Sequence, residues 1–260
     1  MYKGQLPITP IRKTRIMTKT VLILGAQSDI GQSVGKRFAE AGYNLQLAAR
    51  SCERLVETKL DLEIRFGIGV TLHEFDVLDT ISHEKFIKNL PVLPEVSICS
   101  VGLMEEQEKL QIDIRKANLV IRTNFEGPAS ILSALANHYE QKGSGALVGI
   151  SSVAGDRGRS SNYLYGSSKS GLTAFLSGLR NRLHGKGIRV ITVLPGFVNT
   201  KMTSHLNLPS LLTAEPDHVG EAIYTSVVKG YDIIYVKPIW RYIMLLIRAI
   251  PERFFKKLNI

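Results

Sequence analysis

Short, unbroken apolar runs alternate with longer amphipathic stretches along most of the chain. TVLILGA (20–26), NLQLAAR (44–50), GVTLHEFDV (69–77), VSICSVG (96–102), GALVGISS (145–152), IRVITVLPG (188–196) and YDIIYVKP (231–238) each read as a strand. Between them, 31–42 reads as a helix ended by a glycine, and the longest helical stretches are 113–141 and 163–185. Strands apolar on both faces, separated by helices, predict a parallel sheet covered on both sides. No internal repeat, low-complexity tract or linker interrupts the series. Residues 19–238 therefore read as one doubly wound α/β domain with a parallel sheet of about seven strands. A basic arm (1–18) precedes it, with Met17 as an alternative start, and a basic amphipathic segment (239–260) follows.

The first crossover carries LGAQSDIGQSVG directly after a strand and at the opening of a helix. Gly25 permits a tight turn there, and Gly31 allows helix and strand to approach closely. Between them, backbone N–H groups at a helix N-terminus can cradle a pyrophosphate. Glycine pairs alone are weak, since any tight turn uses them, but the strand–turn–helix setting is the one a dinucleotide-binding Rossmann fold requires. At the end of the second strand stands Arg50, with no carboxylate before Glu53. A guanidinium suits a ribose 2′-phosphate, so NADP(H) is the expected dinucleotide and NAD(H) the alternative. Asp76, closing the third strand, is either an acceptor for the adenine amino group or a plain turn residue.

SSVAGDRGRSSNYLYGSSK (151–169) holds the candidate chemistry. Tyr165 and Lys169 are four apart, one helical turn on one face, whereas Tyr163 has no such partner. A nearby ammonium favours the phenolate and should draw the tyrosine below its usual value of about 10, which suits acid–base work near neutral pH. Ser152 ends the fifth strand, at the sheet edge where open α/β folds bind ligands, and its hydroxyl can polarise a carbonyl.

Together these residues resemble the short-chain dehydrogenase/reductase family over about 20–238. The resemblance implies a catalytic tetrad of Tyr165 and Lys169 (YGSSK), Ser152 (ISSVAG) and Asn124 (RTNFEG), the last holding a water in a proton relay. It also implies cofactor contacts from Gln27, Ser28 and Ile30 in the loop, from Val77 and Gly102, from Tyr165 and Lys169, and from Pro195, Gly196, Val198 and Thr200 in PGFVNT. Two departures stand out. The loop has Leu24 and Asp29 where the family has threonine and a middle glycine, and Asp29 is expected to sit near the pyrophosphate and weaken binding. CSVG (99–102) replaces the family's NNAG and is expected to lose strand-to-strand hydrogen bonds.

The chain has 260 residues, a formal charge of +10 and two cysteines without metal or disulfide spacing. No metal site is expected, and a reduced, cytoplasmic compartment fits best. The basic residues follow no nucleic-acid motif, so the excess charge points to a phosphorylated substrate or an anionic membrane surface. Arg157 and Arg159, between Ser152 and Tyr165, are candidates for a substrate phosphate; the alternative is a solvated basic loop. WRYIMLLIRAIPERFFKKL (240–258) mixes aromatic, aliphatic and basic residues, and its uninterrupted apolar run, 242–247, is far too short to span a bilayer. It reads as an interfacial segment at the inner membrane face, as packing on its own domain, or as packing on a second subunit. Residues 200–216, with HLNLPSLL, read as a lid. The glycine loop, GDRGRSSNYLYGSSKSGL and the tail are similar to the polyprenyl-phosphoryl 2-keto-pentose reductases. That resemblance implies reduction of a lipid-linked keto sugar in cell-envelope glycan synthesis, with another lipophilic carbonyl (keto lipid, steroid or acyl thioester) as the alternative. A homodimer or tetramer is expected from the family.

Overall fold

In the computed structural model, which describes residues 19–204 and 206–258, seven strands form one parallel sheet in the order β3-β2-β1-β4-β5-β6-β9. These are β1 (Thr20–Leu24), β2 (Asn44–Ala49), β3 (Val70–Glu74), β4 (Val96–Cys99), β5 (Gly145–Ile150), β6 (Ile188–Pro195) and β9 (Ile233–Val236). A two-stranded ribbon, β7 (Phe197–Val198) with β8 (Thr213–Ala214), sits beyond the carboxyl end of β6. The basic arm 1–18 and His205 of the lid lie outside the described residues.

Alternation along each strand divides the apolar side chains between two cores. Val21 and Ile23 of β1, Val148 and Ile150 of β5, and Ile191 and Val193 of β6 face one way. They meet α1 (Asp29–Glu40), α2 (Val56–Phe66) and α8 (Pro216–Lys229) through Val34, Phe38, Leu62 and Ile223. Leu22 and Leu24, Leu147 and Val190 face the other way. They meet α3 (His83–Lys88), α6 (Gly127–Lys142) and α7 (Tyr163–Leu183) through Ile87, Leu135, Leu172 and Leu176. Burial on both faces explains why the strands read as continuous apolar runs.

Several predicted boundaries contract for local reasons. β1 stops at Leu24 because Gly25 turns the chain at φ +83. β3 ends at Glu74, and Phe75–Val77 leaves the sheet to line a cleft. The long helix expected over 113–141 is three pieces. α4 (Gln107–Ile112) precedes it, α5 (Ile114–Ile121) starts on Asp113, whose side chain accepts from the N–H groups of Arg115 and Lys116, and a π turn (Arg122–Glu126) leads into α6.

The C-terminal segment packs on its own domain. In α9 (Ile239–Ala249), Trp240 and Met244 are buried against Val153 and Leu194, with Ile243 and Ile247 beside them. A methyl on Gly196 would lie 2.0 Å from the Trp240 ring, so the tail needs a glycine at that point of the chain. The short helix α10 (Glu252–Phe255) follows Pro251 and buries Phe255.

Inside the second core, the Tyr139 hydroxyl lies 2.7 Å from Ser97 Oγ, and both side chains are fully enclosed. Burial pushes the Tyr139 phenol far above its ordinary range. Tyr139→Phe leaves the serine without a partner, and a loss of about 1–2 kcal/mol in urea unfolding is expected. Removing both hydroxyls, with Ser97→Ala added, should recover part of that loss.

Candidate active site

The sheet order reverses between β1 and β4, where open α/β sheets form their ligand crevice. A cavity of about 520 Å³ opens there, above the carboxyl ends of the strands. Gly25, Gln27, Ser28, Asp29 and Ile30 line one side, Arg50, Asp76 and Val77 the far end, and Gly102 and Thr200 the near end.

Close packing shapes the floor of this cleft. A methyl on Gly25 would come within 3.0 Å of the Val101 nitrogen, and one on Gly31 within 2.5 Å of the Gly25 oxygen. Ser28 caps α1, its side chain accepting from the Gly31 N–H at 3.0 Å. Ser100 Oγ lies 2.9 Å from the Leu24 carbonyl and 3.1 Å from that of Gly25. The expected loss of strand-to-strand ties in CSVG therefore does not occur. The short serine hydroxyl ties the end of β4 to the end of β1.

The far end is set by two side chains, Gln27, expected as a cofactor contact, and Glu74, which the sequence did not single out. Gln27 Nε2 donates to the carbonyls of Arg50 and Ser51, both at 2.9 Å. Glu74 accepts from the N–H groups of Ser51 and Cys52, and those bonds hold its carboxyl below the usual range. The loop after β2 is thereby fixed with the Arg50 side chain exposed at the cleft. Asp76 Oδ1 accepts from the Leu78 N–H at 3.0 Å, so this residue shapes a turn as well as lining the cleft.

At the near end the four tetrad positions come together. Ser152 follows β5 rather than ending it and starts a single 3₁₀ turn, accepting from the Ala154 N–H at 3.1 Å. Asn124 stands in the π turn, completely buried. Its Nδ2 donates to Leu103 O at 2.7 Å and Val120 O at 2.9 Å, and its Oδ1 accepts from the Leu103 N–H at 3.0 Å. The extra residue of a π turn aims this side chain across to the loop after β4. Lys169 Nζ donates to Ile150 O at 3.0 Å and lies 5.8 Å from the Tyr165 ring centroid. A methyl on Gly102 would sit 3.3 Å from Asn124 Oδ1 and 3.6 Å from Lys169 Nζ, so the bare glycine keeps this corner open.

The titration behaviour corrects the sequence expectation. Burial pushes the Tyr165 phenol up to about 12, with the Ser152 hydroxyl opposing it, and draws Lys169 down to about 8. Lys169 points at the Ile150 carbonyl rather than at the phenol oxygen, so its field does not overcome the desolvation of Tyr165. The pair presents a protonated phenol at neutral pH, the form that donates a proton. Cys99, buried at the end of β4, is pushed up to about 11 and stays a thiol.

The remaining expected cofactor residues lie on the β6 side. Pro195 ends β6 with its carbonyl 3.5 Å from Ser152 Oγ, Gly196 faces Trp240, and Val198 sits on β7. Thr200 opens the lid, bonded to Thr203.

Arg157 is turned away from the cleft. Its Nη1 donates to the carbonyls of Arg248 and Ile250, both at 3.0 Å, its Nη2 pairs with Glu252 at 2.7 Å, and the guanidinium stacks 4.0 Å over Phe255. The expected contact with a substrate phosphate gives way to a clamp on the C-terminal segment. Arg159 is half-buried beside α9, its Nη2 3.9 Å from Met244 Sδ and its Nε without a hydrogen-bond partner among the described residues. Burial lowers its pKa, with Asp156 opposing.

Asp29 lines the cleft beside the loop, as expected, and also makes a contact the sequence did not show. Its carboxylate accepts from the backbone N–H of Lys201 at 2.7 Å, with the Lys201 ammonium 4.0 Å away. This joins the start of α1 to the start of the lid, across the mouth of the cleft. Asp29→Ala should raise the KM for the dinucleotide by about fivefold to tenfold, the worth of one charge-assisted bond, and speed proteolysis within the lid. Had Asp29 acted by repelling phosphate, the same change would lower that KM.

A model of the short chain dehydrogenase family matches residues 19–210. An uncharacterised oxidoreductase of Mycobacterium tuberculosis is 33% identical over 237 residues, which is 89% of this chain and 94% of that protein. Sulfoacetaldehyde reductase 2 of Chromohalobacter salexigens is 32% identical over 192 residues, covering 72% of this chain and 75% of that one. Among solved structures, a short-chain dehydrogenase of Burkholderia cenocepacia in complex with NADP superposes with a TM-score of 0.80 at 20% identity, over 94% of this chain and 98% of that one. One from Sphingobium yanoikuyae in complex with NADPH gives 0.76 at 24%, over 90% and 97%. With the family match spanning most of the chain and the fold shared end to end, the protein belongs to the short-chain dehydrogenase family and is an oxidoreductase.

Proposed function

We propose that the protein reduces a ketone to an alcohol with NADPH, and that its substrate is lipophilic. The observation that carries this reading is one cleft with two chemically different ends. Arg50 stands exposed at the far end, while Asn124 and Lys169 lie beside Gly102 at the near end, with Tyr165 next to Lys169 and Ser152 bonded to Tyr165. The residues suit a dinucleotide. Gly25 and Gly31 leave room for a pyrophosphate over the N-terminus of α1, Arg50 matches a 2′-phosphate, and Gly102 leaves the corner beside Lys169 free of a side chain. Both solved relatives described above hold NADP(H), which supports the coenzyme choice.

When bound, NADPH supplies the hydride. The chain's own residues manage the proton. Ser152 holds the substrate oxygen, and Tyr165, a neutral phenol below about 12, donates to that oxygen as negative charge develops on it. Lys169, charged below about 8, stabilises the phenolate left behind, and Asn124 fixes the adjoining loop.

Within this reading, the substrate is the keto group of a polyprenyl-phosphate-linked 2-keto-pentose, and the enzyme serves cell-envelope glycan synthesis. The resemblance of the glycine loop, the 155–172 run and the tail to such reductases supports it. Arg159 is half-buried beside α9 and Arg157 is committed to the tail, so a substrate phosphate would need a shift of this loop to meet the Arg159 guanidinium. Another lipophilic carbonyl is the alternative.

The test follows NADPH and NADH oxidation with the phosphosugar and with a plain lipophilic ketone. Tyr165→Phe should lower turnover by about 10²–10⁴. Turnover of the plain ketone alone would refute the substrate but keep the reaction. Arg50→Ala should raise the KM for NADPH by about tenfold or more and leave that for NADH unchanged, since only the 2′-phosphate contact is removed. The pH profile gives a further check. The phenol stays protonated far into the alkaline range, so reduction should be flat below neutrality and fall as pH rises through about 8, where Lys169 loses its proton. Lys169→Arg, charged throughout, should move that limb upward in whatever activity it retains.

A further inference from the structure

The outer face of α9 is apolar although nothing among the described residues covers it. Trp240 and Met244 bury the inner face, while Tyr242, Leu245 and Leu246 are 65%, 66% and 70% exposed. Phe254 of α10 and Leu258 just after it are also exposed. A helix apolar around most of its circumference belongs against a second apolar phase. Its remaining polar strip is basic, and in 239–258 five cations, Arg241, Arg248, Arg253, Lys256 and Lys257, face a single carboxylate, Glu252, which Arg157 already neutralises.

From this we infer that the C-terminal segment docks the enzyme on an anionic lipid surface. Tyr242, Leu245, Leu246 and Phe254 enter the interface, and the arginines and lysines meet the headgroups. Charge selects this occupant. A second copy placed symmetrically on the same patch would set two strongly basic surfaces against each other, whereas an anionic surface complements them. Among the described residues no helix is long and apolar enough to cross a membrane, so the contact is peripheral. The inner face of the same helix holds the lid, because Trp240 Nε1 donates to Leu212 O at 3.1 Å and Lys237 Nζ to Leu211 O at 2.8 Å. Docking therefore sets the lid beside the lipid. The inference does not depend on which carbonyl is reduced.

The test is flotation of the full chain with phosphatidylcholine vesicles, with and without phosphatidylglycerol. Two variants accompany it, Leu245→Asp with Leu246→Asp, and Arg253→Ala with Lys256→Ala and Lys257→Ala. All five positions are exposed and outside the site, and melting temperatures close to wild type verify that the variants fold. Wild type should float with the anionic vesicles and be released by high salt, and each variant should partition at least about tenfold more weakly. Absence of binding to anionic vesicles, or equal binding to both kinds, would overturn the inference. So would an oligomer that Leu245→Asp with Leu246→Asp splits while vesicle binding stays intact, since a second copy would then be the occupant.

Discussion

Gly31 has no room for a methyl group, because one would meet the Gly25 carbonyl at 2.5 Å and Ser100 Oγ at 3.0 Å. The turn after β1, the start of α1 and the end of β4 are thus held at contact distance, and every other part of the site is placed relative to that contact. The N-terminus of α1 aims into the crevice because its first turn cannot back away from β1. Ser100 rests on the same two carbonyls, so the chain after β4 leaves in the direction that carries Gly102 to Asn124 and Lys169. The dinucleotide end and the catalytic end are therefore positioned by one close contact, with β4 as the link.

Desolvation then decides what the catalytic end can do. Lys169 sits 3% exposed and Asn124 is completely buried. The ammonium donates to the Ile150 carbonyl, and the Asn124 amide bonds to the backbone of Val120 and Leu103. In such surroundings the uncharged form of the phenol is favoured, the form that the proposed reduction requires of Tyr165. A tyrosine–lysine pair at helical spacing thus has a reactivity set by its enclosure. The four-residue interval brings the groups near each other, and burial chooses the protonation state.

That distinction explains how much was legible in the sequence. The sheet, its helices and the cleft follow from periodicity, since two-sided burial writes itself as apolar runs. Tyr165, Lys169, Ser152 and the two loop glycines were readable because each is tied to a spacing or to an element boundary. The pKa direction was not, because it is set by how deeply the fold encloses Tyr165, and the carbonyl that takes the Lys169 ammonium, Ile150, is 19 residues away. The roles of Asp29 and Arg157 escaped for the same reason. Their partners, Lys201 and the carbonyls of Arg248 and Ile250, are 172, 91 and 93 residues distant. Ser100 offers a smaller lesson: a hydroxyl replaced a carboxamide because the turn it serves is already at contact distance.

These distant partners also show that the lid is held from two sides. At its start, Lys201 is bonded to Asp29 on the dinucleotide side. Toward its end, the carbonyls of Leu211 and Leu212 are bonded to Lys237 and Trp240 on the C-terminal side. The indole that holds Leu212 also fills the space left by Gly196, immediately after the β6 proline. A shift of α9 therefore moves two points flanking the cleft together, the β6 exit and the lid. Arg157 joins α9 and α10 to the loop between Ser152 and Tyr165, which adds a third. The inner face of α9, through Trp240 and the carbonyls of Arg248 and Ile250, is thus mechanically tied to the β6 exit and to the loop between Ser152 and Tyr165, far from it in sequence.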